Sequence, residues 1–198
     1  MHRLHAREKK NNDHFLEQVT SFADLLLGEL LQQRCAPKTD FHLPCLPATD
    51  GELLPSLQPA QPVAKASVRL RETWEVLLNT LRNETVYRDT PRMVQLCWLY
   101  RMEPAWVLAT VLAFIHSSAP KYEKAFAILQ GDSGRRGTDA FLISAIAAFL
   151  GMEVPVLTQL SVESRLRMDL FEESDRGELL LRKHVFLWLH GEEDLQLS

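Results

Sequence analysis

The stretch from Gly131 to Thr138, Gly-Asp-Ser-Gly-Arg-Arg-Gly-Thr, comes nearest in this chain to a motif that handles a substrate. A phosphate loop reads Gly-x-x-x-x-Gly-Lys-Ser/Thr, because backbone amides must cradle the phosphates and the lysine must reach their outer oxygens. Here Arg136 stands at the second glycine and Gly137 at the lysine. The pattern predicts a tight corner between two helices with solvated arginines, and no ATP hydrolysis from these residues alone.

Cys35, His42 and Cys45 supply two thiols and an imidazole, but a structural zinc wants a fourth ligand and closer pairing, so they read as linker side chains. His116 closes an apolar run and is expected to cap a helix C terminus, where its charge would favour the dipole. His184 and His190 read as surface or packing residues. The acids from Glu172 to Asp194 crowd toward the C terminus, as a solvated face does. Arg135, Arg136, Arg165 and Arg167 form a small basic set, thin footing for binding a polyanion. No nucleophile stands in an evident pairing with a base, and no residue is nominated as catalytic.

The composition suits a protein with a real core: 198 residues, 46% hydrophobic, 24% charged, formal net charge −4. Neither side of Ser67 is basic, which argues against a general nucleic-acid binder. Three cysteines leave at least one thiol unpaired, and the polar start lacks the apolar stretch of a secretory signal. A reducing, cytoplasmic setting is expected. The densest apolar run, Ala105 to Ile115, is about half the roughly 20 residues a membrane span needs, and it reads as a core helix.

Three parts must carry these residues. Residues 1–34 hold an amphipathic helix whose stripe, Phe15, Leu16, Val19, Phe22, Ala23, Leu26, Leu27, Leu30 and Leu31, starts after a cap at Asn12 or Asp13. Residues 35–66 are a proline-rich linker, since Pro37, Pro44, Pro47, Pro55, Pro59 and Pro62 block helix and central strand alike. Residues 67–198 form a helical domain. Its helices are expected to open at Ser67, at Thr90-Pro91, at Glu103-Pro104, at Ala119-Pro120 and behind a Thr138 cap, with Gly151 as a stop. A short helix follows around Pro155 to Arg165. Two strands, Arg167 to Glu172 and Glu178 to Leu181, flank the turn Ser174-Asp175-Arg176-Gly177, and a last helix runs from Lys183 to His190. The fold class is mainly α, with helices followed by a small β-hairpin in the outline of a winged helix.

Tyr122, Leu129-Gln130, Asp132, Arg135-Arg136 and Thr138, followed by an apolar helix and the segment Leu179 to Arg182, carry a resemblance. Over roughly residues 69–191 the chain resembles the winged-helix region that precedes the ATPase modules of a group of bacterial AAA-type ATPases. Gly131 and Gly137 stand where that family more often has an acid and a proline. The resemblance implies a non-catalytic accessory domain that recognises a partner or substrate, or regulates the motor. No cofactor is expected in this chain, because ATP and magnesium would belong to the ATPase modules alone. The partners implied are another protein or those modules; the residues themselves argue against a membrane and against nucleic acid. Leu26, Leu30, Arg135 and Arg136 are the candidate partner-binding residues. Two alternatives stand beside this reading. A nucleic-acid-binding winged helix would use the arginines, and a stand-alone assembly or adaptor protein would use the leucine stripe to build homo-oligomers.

Overall fold

In the computed structural model, residues 2–35, 65–82, 87, 89–135, 137–153, 155–161 and 165–192 are described. Residues 36–64, the bulk of the expected proline-rich linker, lie outside them. The described residues are mainly helical, with a small three-stranded antiparallel sheet near the C-terminal end.

The elements are α1 (His2–Cys35), α2 (Val68–Leu81), α3 (Arg92–Leu99), α4 (Pro104–Ser118), α5 (Pro120–Gln130), β1 (Thr138–Asp139), α6 (Ala140–Leu150), α7 (Val156–Ser161), α8 (Arg165–Leu170), β2 (Phe171–Glu173), β3 (Glu178–Leu181) and α9 (Lys183–Leu189). Strand order is β1-β3-β2, so α6, α7 and α8 all lie between the first edge strand and the second. Thr138 pairs with Leu179, and Phe171 with Leu181.

Helix α4 is the axis of the core. Every residue from Ala105 to Ile115 is buried, as a helix that is apolar all round must be. The one polar member, Thr110, satisfies its hydroxyl by donating to the Trp106 carbonyl at 2.8 Å. Helices α1, α2, α5, α6 and α7 and strands β1 and β3 pack around it. Pro104 and Pro120 sit in the first turns of α4 and α5, where a missing amide loses no hydrogen bond. Gly131 and Gly151 end α5 and α6 at φ of 69° and 80°, in the left-handed region open to glycine.

The stripe of α1 is used inside the molecule. From Phe15 to Leu30 its apolar side chains join one continuous core with α2, α4 and α5, and Phe22 meets Trp74 at a ring separation of 5.3 Å. Burying a large apolar side chain contributes about 1.5–3 kcal/mol, which no exposed arrangement of this helix would recover.

Several local expectations are corrected. Helix α1 begins at His2, not after a cap at Asn12 or Asp13, and Asn12 is buried mid-helix. Its Oδ1 accepts from the Arg92 amide at 2.9 Å and its Nδ2 donates to the Leu189 carbonyl at 2.7 Å. A side chain of α1 thus caps the start of α3 and the end of α9. Thr90 is not the cap of α3: its hydroxyl accepts instead from the Tyr87 amide at 2.7 Å. Thr138 is a strand residue, and Asp139 caps α6 by accepting from the Leu142 amide at 2.7 Å. Residues 167–170 are helical, because Leu166 and Leu170 one turn apart both reach the core.

Candidate functional site

The corner from Gly131 to Thr138 is filled by its own hydrogen bonds. Asp132 Oδ1 accepts from the Gly134 amide at 2.8 Å, and buried Glu178 accepts from the Gly137 amide at 2.7 Å. Ser174 donates to the other Glu178 oxygen at 2.9 Å, and Gln130 donates to the Gly137 carbonyl at 2.9 Å. The Gly134 and Gly137 amides therefore point at the protein's own carboxylates. Space is tight at Gly137, where a Cβ would lie 2.9 Å from Leu180 Cδ2 and 3.2 Å from Glu178 Cβ.

Of the basic set, the three described members, Arg135, Arg165 and Arg167, are paired within the chain. Arg135 donates to Asp139 at 2.9 Å and also faces Asp132, which Arg176 approaches at 3.7 Å. Arg165 pairs with Asp169 at 3.2 Å, and Arg167 pairs with Glu173 while donating to the Leu160 carbonyl. Arg136 lies outside the described residues. Leu26 and Leu30 are 0% and 1% exposed, so neither shares a surface with Arg135. Leu26, Leu30 and Arg135 do not form one site.

Burial governs the remaining reactive side chains. It pushes the Cys97 thiol up to about 12, leaving a small apolar group. It lowers the pKa of His116 against the opposing pull of Glu123 and Glu178, so the imidazole is held toward its neutral form and the expected charge–dipole cap is weakened. His190 is lowered by burial too, and its ring packs against both Phe114 and Phe186, which also touch each other. Among the described residues no three His, Cys, Asp or Glu gather as a metal would need. His42, Cys45 and the Cys35 side chain lie outside that set. No helix among the described residues is long and apolar enough to cross a membrane.

One open feature was not singled out by the sequence. Where α2 and α3 end and α4 begins, a groove of about 660 Å³ opens over a floor that includes Cys97 and Met102. Trp98 and Leu99 line it, 50% and 51% exposed, together with Arg82, Arg101 and Glu103. The corner that shapes it is a Schellman turn, in which the Met102 amide donates to Cys97 and the Arg101 amide to Trp98. Arg101 occupies its left-handed position at φ of 47°, where glycine is usual. Behind the corner, Tyr100 donates to Asp169 at 2.9 Å, and burial together with that carboxylate pushes the phenol up to about 12. The legible signal was the pair Trp98-Leu99, lying off the stripe of Met93, Leu96 and Cys97. No protein-family model, no curated protein and no solved structure matches this chain.

Proposed function

We propose that this chain is a non-catalytic, winged-helix-like accessory module of an AAA-type ATPase, and that it engages a protein partner in the cytoplasm. The strand order β1-β3-β2, with three helices between β1 and β2, supports the winged-helix part of the reading. The ATPase part rests on the resemblance of the Tyr122 to Thr138 region.

The observation that carries partner recognition over nucleic-acid binding is the state of the arginines. Helix α8, directly before β2, holds Arg165 and Arg167 already paired with Asp169 and Glu173. An arginine must leave its carboxylate to neutralise a phosphate, so the electrostatic gain on a duplex is small. A docked protein would act on the motor by favouring one position of the module over another, to the extent that the two positions bind it differently.

The reading frame downstream of residue 198 tests the motor. An in-frame Gly-x-x-x-x-Gly-Lys-Ser/Thr is expected, and a stop codon there would leave a stand-alone adaptor or assembly protein. Titration of a short labelled duplex at low and moderate salt tests the surface. No salt-sensitive binding is expected; binding that falls with salt and is lost in Arg135→Ala/Arg136→Ala would make the chain a nucleic-acid module.

A further inference from the structure

We infer that the groove between the ends of α2 and α3 and the start of α4 binds an acidic peptide segment carrying a bulky apolar side chain. The apolar side chain would lie on Trp98 and Leu99, and Arg82 and Arg101 would receive the carboxylates. The inference rests on the reading of the chain as a partner-recognition module and gives that partner a chemistry.

Charge complementarity carries the argument. Arg135, Arg165, Arg167 and Arg176 each face a carboxylate of the chain. Arg82 and Arg101 are exposed and have no ion pair or hydrogen bond through their side chains among the described residues. They flank the same groove. A guanidinium without a partner suits a carboxylate, which it can hold through two parallel hydrogen bonds. Trp98 and Leu99 beside them offer a large apolar contact with little rotamer freedom to lose.

Backbone strain at the rim is the second observation. A non-glycine residue is strained in the left-handed region, and glycine would turn this corner without that cost. The chain thus holds a guanidinium at the groove mouth in spite of the turn's own preference. Glu103, the acid in the lining, would repel the strongly charged phosphates of a nucleotide more than it would a peptide carboxylate. Leu99 and Met102 supply no polar group to read a base edge. The volume falls within the roughly 300–1,000 Å³ of ordinary ligand clefts.

The test uses the full chain and three fluorescein-labelled hexapeptides, followed by anisotropy and by tryptophan fluorescence. The peptides are Asp-Glu-Leu-Phe-Glu-Asp, its uncharged counterpart Asn-Gln-Leu-Phe-Gln-Asn, and Asp-Glu-Ser-Ser-Glu-Asp without the apolar pair. The first should bind about tenfold more tightly than either control. Arg101→Gly should raise the thermal midpoint by relieving the turn and weaken binding about tenfold, which separates a lost contact from a damaged fold. Glu103→Gln should strengthen binding by a few fold, because one like-charge repulsion in the lining is removed. Absent binding, equal binding of the three peptides, unchanged affinity in Arg101→Gly, or displacement of the peptide by a single-stranded oligonucleotide would each overturn the inference. The duplex titration and the downstream reading frame succeed or fail independently of these results, so failure of the groove is distinguishable from failure of the module reading.

Discussion

Asn12 shows how one side chain can hold three helices. It sits in the middle of α1, yet it supplies the acceptor that α3 lacks at its start and the donor that α9 lacks at its end. Asn12→Ala strands a backbone amide and a backbone carbonyl together. The expected loss is about 2–4 kcal/mol, seen as a lower urea midpoint with an unchanged slope. A second residue-scale prediction concerns pH. Burial lowers the pKa of His116 and of His190, partly offset by Glu123 and Glu178 for the first and by Glu192 and Asp13 for the second. Both rings bind protons more readily when the chain unfolds. Their contribution to stability is therefore complete above the ordinary histidine value of about 6.5 and is lost as pH falls below it toward the folded values. Urea melts between neutral and mildly acidic pH should show this decline, and His116→Gln should make it shallower. An unchanged slope in that variant would place the titration elsewhere.

At the scale of elements, the cap of α6 is the sensitive joint, because Asp139 accepts from the Leu142 amide and from Arg135 at once. Asp139→Ala should cost about 1–2 kcal/mol in thermal or urea unfolding. It also releases Arg135, so any affinity for duplex DNA should rise in this variant; no rise would mean that Asp132 alone suffices to hold the guanidinium. Much of this element plan was legible, because proline at a first turn and glycine at a C′ position act through the backbone alone: Pro104, Pro120 and Gly151 mark the boundaries they were expected to mark. What was not legible depended on partners distant in sequence. The first turns of α1 have no apolar stripe to announce them, and Asn12 looks like a cap until Arg92 and Leu189 are brought to it. Leu166, Met168 and Leu170 alternate as a strand would, but Leu166 and Leu170 reach the core from a helix while Met168 is exposed. Strand β1 is two residues long and exists through its pairing with β3. The groove was hidden for a similar reason, since nothing in the letters of residues 98–101 says that Arg101 takes the left-handed turn.

For the molecule as a whole, the described elements share one core, and α1 is part of it rather than an appendage. Charging Leu26 or Leu30 would put an ion where both side chains are almost fully shielded. The penalty of several kcal/mol rivals the entire stability of a domain. Leu26→Glu should therefore abolish the cooperative unfolding transition seen by circular dichroism. A variant that stayed folded and lost only self-association would restore the assembly role of the stripe. The same burial sets a problem during synthesis. Helix α1 is made before the helices that cover its apolar face, α2, α4 and α5, which are complete only at Gln130. At about 5–20 residues per second, the nascent helix waits roughly 5–20 s with that face unmatched. During this interval Phe15 to Leu30 form the kind of unmatched apolar surface that invites aggregation or chaperone capture.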